Sequence, residues 1–236
     1  MRSLSPASWV IRVVSTGNEE LDSRIGGGVP HPAFIVVEGG NGTAKTTLVL
    51  QIAYGMLSSG LRVALFTTES TARHLLLQAR GVRIDLVRYF VKGSLRVYST
   101  YTVRHEPPGV LLQRLLSWAE RASGFDAIAV DSLTPLAAGD SAVGRLVYVA
   151  RRLVARGVSF IATVHPGVLG EPAMLELRAA ADVYYSLGLA SVGGKQVRVL
   201  RVVKARGAPD VVEGSVAFDV DPAFGIKIVP IVLAQS

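Results

Sequence analysis

Gly39-Gly40-Asn41-Gly42-Thr43-Ala44-Lys45-Thr46-Thr47 combines glycines, one lysine and adjacent hydroxyls at a spacing suited to holding phosphate. The usual phosphate-binding loop reads G-x-x-x-x-G-K-[ST]. Gly39, Lys45 and Thr46 meet that pattern, and Ala44 stands where the second glycine belongs. Successive backbone N–H groups in such a turn form an anion cradle, and the helix that follows adds its N-terminal dipole and free N–H groups. The spacing therefore assigns Gly40, Asn41, Gly42, Thr43, Ala44, Lys45, Thr46 and Thr47 to a nucleoside triphosphate. Lys45 would reach the β- and γ-phosphates, and the Thr46 hydroxyl would bind Mg²⁺. With a negative φ at Ala44, alanine would fit the backbone and favour the helix start. The cost would then be steric, a methyl group where the loop comes closest to phosphate. The bland alternative is an ordinary glycine-rich turn.

Other residues could complete the site. Ala127 to Val130 is an apolar run ending in Asp131, the form of a strand whose terminal carboxylate holds Mg²⁺ opposite Thr46. Glu69 follows Leu65-Phe66-Thr67-Thr68 and could orient or deprotonate an attacking water, or simply cap a helix starting near Thr71. His165, after Thr163-Val164, could hydrogen-bond a γ-phosphate or be structural. Lys204 and Arg206 alternate with Ala205 at a strand end. Such a pair could reach the γ-phosphate of a neighbouring subunit as fingers in trans, or could be solvated edge charges.

These residues need a scaffold that brings several strand ends together. Apolar strands at Ala33–Val37, Arg62–Thr67, Leu95–Ser99, Ala127–Val130 and Val158–Val164 alternate with helical patterns at Lys45–Ser58, Thr71–Ala79, Val110–Arg121 and Ala142–Arg156. That alternation predicts an α/β fold with a mainly parallel sheet covered on both faces. A short strand at Val10–Val14 and a helix start near Thr16 and Asn18 precede it, closed by Gly26-Gly27-Gly28-Val29-Pro30. The last third changes to β-rich segments at Val183–Leu189, Gln196–Val203, Ser215–Val220 and Ile226–Ile231, joined by short turns. They read as antiparallel strands extending the same sheet, so residues 1–236 are expected to form one domain.

The 236 residues are half hydrophobic and include no cysteine, which excludes disulfides and thiolate metal sites. No apolar run approaches the ~18 residues needed to span a bilayer, and a cytoplasmic protein is expected. The net charge of +7 is carried mostly by arginine. It permits nucleic acid, anionic lipid or an acidic protein as a partner. No long basic run or aromatic–basic interleaving is present, so nucleic acid is disfavoured.

Taken together, Ser15-Thr16-Gly17-Asn18-Glu19-Glu20-Leu21-Asp22, the triple glycine and the loop resemble the RecA-like ATPases of the KaiC type. Thr67-Thr68-Glu69, Arg88-Tyr89-Phe90, Gly93 to Tyr98 and Phe224 to Pro230 narrow this to the FlaH (ArlH) family of archaellum accessory ATP-binding proteins. The resemblance implies a single RecA-like domain that takes ATP and Mg²⁺. It also implies a homo-oligomeric ring and docking to the archaellum motor ATPase at the inner face of the membrane. Lys45, Thr46, Asp131 and Glu69 would inherit the nucleotide roles, and Lys204 and Arg206 the intersubunit finger. Nucleotide occupancy would act as a switch with weak or no hydrolysis. The alternatives are a nucleotide-free pseudo-ATPase scaffold, with Ala44 as its mark, and a RecA-like DNA-dependent ATPase.

Overall fold

The structure, a computed structural model, describes residues 11–100, 107–136, 141–192, 194–210 and 212–230. Its centre is a nine-stranded sheet in the order β11-β10-β9-β8-β3-β7-β6-β4-β5. The parallel part comprises β3 (Phe34–Gly39), β4 (Val63–Thr67), β5 (Leu95–Ser99), β6 (Ala127–Asp131) and β7 (Ser159–Val164). The strand β8 (Val183–Val192) also runs parallel to β3. Then β9 (Lys195–Ala205), β10 (Ser215–Asp221) and β11 (Gly225–Ile228) fold back in antiparallel succession. This is the mainly parallel sheet with an antiparallel extension that the sequence predicts.

Every residue of β3, β4, β6 and β7 is buried, so these strands carry no polar alternation. Side chains nevertheless divide by the pleat. Ile35, Val37, Leu65, Ala129 and Ile161 face one core with α2 (Lys45–Ser58) and α3 (Ala72–Gly81). Phe34, Val36, Phe66, Val130 and Ala162 face a second core with α5 (Pro108–Arg121), α6 (Ser141–Ala155) and α7 (Glu171–Ala180). Burial on both faces is what allows a continuous run of Val, Ile and Ala to remain in place.

The amino-terminal segment is tied down by polar contacts. The helix α1 (Glu19–Ile25) is capped by Asn18, whose side chain accepts from the Leu21 amide. Thr16 is not the cap: its backbone and hydroxyl donate to the buried Asp22 carboxylate. The Gln51 side chain of α2 in turn donates to the Thr16 carbonyl (2.8 Å). A Cβ on Gly55 would stand 2.0 Å from the Ser15 carbonyl oxygen, so only glycine lets this segment lie against α2.

Three elements go beyond the sequence reading. Val29–His31 is not a plain turn but a strand, β2, paired antiparallel with β1 (Arg12–Val14). The helix α4 (Val87–Lys92) covers the sequence between α3 and β5. The helix α7 carries a proline in its first turn and Glu171 at its start, both readable start signals, followed by buried Ala173, Met174, Leu177 and Ala180. Its ten residues are too few for the apolar stripe to stand out from neighbouring strands.

His31 of β2 lies at the end of the sheet where the parallel strands begin. Ser159 Oγ accepts from the Ala33 amide (3.1 Å) and shares a hydrogen bond with His31 Nδ1 (2.8 Å). Burial, with the nearby Arg12 charge, pushes the His31 pKa down from 6.5 to about 4. The folded state therefore resists a proton that the unfolded chain takes up near neutrality. Between pH 6.5 and 4 it loses stability as pH falls, by roughly 3 kcal/mol in all. Thermal melts at pH 7 and pH 4.5 should show a smaller acid-induced drop for His31→Asn than for the native chain; equal drops would assign the acid sensitivity elsewhere.

Candidate functional site

The carboxyl ends of β3, β4, β6 and β7 converge on the start of α2, as ligand sites do in open α/β sheets. Gly39 ends β3, and α2 begins at Lys45. Between them the chain turns with Gly42 at φ 75° and Ala44 at φ 71°, ψ 30°. Ala44 is thus left-handed, contrary to the negative φ that would have made alanine harmless. Such a backbone costs an L-residue roughly 1–2 kcal/mol. Its methyl packs against the α2-side core while the residue also borders the cleft. Gly40 and Gly42 have open space where a Cβ would stand.

Ala44 offers no side-chain cap to α2, and the first turn of the helix holds no acidic residue. The opening N–H groups of a 14-residue helix are left to whatever occupies the cleft. Lys45 Nζ donates to the Gly40 carbonyl (2.8 Å) and lies 3.5 Å from His165 Nδ1. The far side of that ring, Nε2, lies 3.6 Å from Glu69 Oε1. The His165 amide donates to Thr134 Oγ1 (2.8 Å), which fixes the chain after β7.

On the same side of the cleft, the Thr46 hydroxyl donates to Asp131 Oδ2 (2.8 Å) and the Thr163 hydroxyl to Oδ1 (3.0 Å). Thr67 pairs with Asp131 across the ladder, and its hydroxyl, like that of Ser132, is buried without a protein partner. Among the described residues no cluster of three His, Cys, Asp or Glu could hold a metal ion unaided. A hydroxyl–carboxylate pair with spare buried hydroxyls suits a hard cation that keeps waters and shares phosphate oxygens, the habit of Mg²⁺. The residues present therefore fit Mg²⁺ with a polyphosphate, which Thr46 and Asp131 would hold.

The cleft bordered by these groups is about 250 Å³. The structure brings together the loop, Glu69, Asp131 and His165 as the sequence predicts. Thr71, not Glu69, caps α3, its hydroxyl accepting from the His74 amide. Lys204 and Arg206 lie elsewhere: Lys204 pairs with Tyr184 and Ala205 with Val183, at the end where β3 begins. Lys204 Nζ donates to the carbonyls of Arg178 (3.2 Å) and Ala179 (2.9 Å), closing the last turn of α7. Neither cation can serve the nucleotide cleft of its own chain.

Two features escaped the sequence reading. Arg198 of β9 borders the cleft and donates from Nε to the Gly42 carbonyl (3.1 Å). Glu38, one residue before the loop, turns to the α7 side, accepting from Tyr184 Oη (2.8 Å) and pairing with Arg178 (3.4 Å). Arg198 comes from a strand distant in sequence and carries no motif. Glu38 was legible only as an acidic residue inside an apolar strand.

Burial strips water from the two central charges. It pushes the Lys45 pKa below the usual ammonium range, against the pull of Glu69 and Asp131. It pushes Asp131 above the usual carboxylate range, against the hydrogen bonds from Thr46 and Thr163. Both groups are thus costly to keep charged until counter-charges arrive.

The geometry defines a P-loop nucleotide-binding protein of the RecA-like α/β class. Comparison with known sequences and structures agrees. The sequence model of the family "ATPase: KaiC" matches residues 14–232. The archaeal flagellar ATP-binding protein FlaH of Sulfolobus acidocaldarius is 36% identical, covering 95% of this chain and all of its own. FlaH of Methanocaldococcus jannaschii is 27% identical over 91% of this chain and 94% of its own. The crystal structure of that organism's flagellar accessory protein FlaH superposes with a TM-score of 0.80 at 24% identity, covering 94% of this chain and 100% of that one. The chain belongs to the KaiC family of ATPases and, within it, to the FlaH proteins.

Because burial raises the pKa of the folded Asp131 carboxyl, the fold loses stability as pH rises from the ordinary carboxylate range toward that pKa. Without nucleotide, Asp131→Asn should therefore be more stable than the native chain in thermal melts at pH 8. The same variant should lose any Mg²⁺-dependent shift in melting temperature. A destabilised variant at pH 8 would show that the hydrogen bonds to the carboxylate outweigh its burial.

Proposed function

We propose that this protein is an ATP-binding subunit associated with the archaellum motor, in which nucleotide occupancy acts as a structural switch with weak or no hydrolysis. The observation that carries the reading is the joint placement of Lys45, Thr46 and Asp131 around the start of α2. The FlaH relatives supply the biological setting, since their names describe archaeal flagellar ATP-binding proteins.

In this reading, the loop amides from Gly40 to Thr47 and the α2 dipole take the phosphates of ATP. Lys45 exchanges its bond to the Gly40 carbonyl for a phosphate oxygen, which restores the partner that burial denies it. Thr46, through its hydroxyl oxygen, and Asp131, through its carboxylate, would hold Mg²⁺. Mg²⁺ would supply neutralisation of phosphate charge there. His165 stands between Lys45 and Glu69, placed to sense the γ-phosphate. Glu69 would hold the attacking water, and its contact with His165 competes with that task, in keeping with slow turnover.

The opposite end of the sheet presents Lys204 and Arg206 to a neighbouring subunit in a homo-oligomeric ring, where they would approach that neighbour's γ-phosphate. Lys204 must then leave the carboxyl end of α7, so ring closure and release of that cap are linked. Docking to the motor ATPase at the inner face of the membrane completes the proposal.

Calorimetry tests the core of it. Mg·ATP should bind the full chain with micromolar or tighter affinity, and Lys45→Ala should weaken binding at least 100-fold, or about 2.7 kcal/mol. No heat with the native chain would leave the nucleotide-free scaffold as the better account. Sedimentation with Mg·ATP should show a higher-order assembly that Arg206→Ala reduces without altering ATP affinity at dilute concentration; an unchanged assembly would remove the finger role.

A further inference from the structure

Ala44 holds a backbone conformation that its side chain disfavours, so something outside the residue must enforce it. Within the loop, Thr43 Oγ1 and Lys45 Nζ both donate to the Gly40 carbonyl. The Lys45 hold is given up when phosphate enters, because Lys45 must turn to it, and the Thr43 bond reaches only back to Gly40 and does not span Ala44. A tether of another kind comes from the sheet. Arg198 Nε donates to the Gly42 carbonyl at 3.1 Å, from a strand flanked by β8 and β10. Its Nη1 is fixed by Asp219 Oδ1 at 2.5 Å, and the same oxygen accepts from the Val220 amide at 2.8 Å.

We propose that Arg198, oriented by Asp219, is a positioning residue that holds the phosphate-binding loop in the left-handed path Ala44 resists. The peptide plane supplies the mechanism. In a trans peptide the C=O and N–H point in opposite directions. Drawing the Gly42 carbonyl out toward Arg198 turns the Thr43 N–H the other way, into the cradle. It also restrains the backbone between Gly42 and Ala44, the two left-handed positions. With glycine at position 44 the left-handed backbone would cost little, and the loop would depend less on the tether. Arg198 therefore compensates for a residue that departs from the usual loop.

This inference rests on the reading that the loop takes phosphate, and the experiment separates the two. Native chain, Arg198→Ala, Ala44→Gly and the double variant are compared in full-length protein. Mg·ATP affinity is read by calorimetry, and hydrogen exchange of the amides in residues 40–44 is read without nucleotide. Arg198→Ala should weaken ATP binding at least tenfold in the native background and about threefold or less in the Ala44→Gly background. It should speed exchange of the loop amides markedly in the first background and little in the second. Arg198→Lys keeps the charge but loses the fork between Gly42 and Asp219, so it should follow the alanine variant. Equal losses in both backgrounds, or rescue by lysine, would overturn the proposal, because Arg198 would then act by charge alone. If no variant binds ATP, the nucleotide reading fails, and the exchange comparison still decides the role of Arg198.

Discussion

The passage from β3 into α2 is the constraint on which the rest of the site depends. Five residues must turn the chain, leave a ring of N–H groups facing one point, and start a helix at Lys45. Gly42 and Ala44 do this with positive φ, and only one of them is glycine. The strain at Ala44 has to be held by groups that are themselves rigid. The sheet provides them: β3 is hydrogen-bonded on both sides by β7 and β8, and β9 brings Arg198 to the outside of the loop. An isolated strand–loop–helix segment of this sequence would have no reason to keep this path.

The electrostatics of the cleft follow from the same architecture. Parallel strands buried on both faces end together, so the few polar residues at their ends share one poorly solvated space. Asp131 survives there by accepting from Thr46 and Thr163, and Lys45 by donating to a backbone carbonyl. These are stopgap partners, each replaceable by a metal ion or a phosphate oxygen. Stability is given up at the site, and a ligand that brings counter-charges would recover it.

Glu38 extends the site toward the other layer. It follows the pleat to the α7 side, where Tyr184 and Arg178 hold it. Arg178 and Ala179 carry the carbonyls that Lys204 closes. A continuous set of contacts thus runs from the strand before the loop to the cation at the opposite end of the sheet. Its members come from β3, α7, β8 and β9.

Much of this was determined by the sequence itself. Buried apolar runs of strand length separated by helical periodicity specify a parallel sheet, and a glycine turn before Lys45-Thr46 places a phosphate cradle at its edge. Asp131, Glu69 and His165 were legible because each ends such a run, and the sheet topology sends those ends to one place. Tertiary structure alone decided three matters. The left-handed φ of Ala44 depends on how β3 and α2 are fixed relative to each other, which no local propensity reveals. Arg198 reaches the loop across 156 positions of chain, through strand pairing that single residues do not encode. Lys204 and Arg206 alternate in sequence as expected, but only the antiparallel return of β9 along β8 carries them away from their own cleft and toward the far end of the sheet.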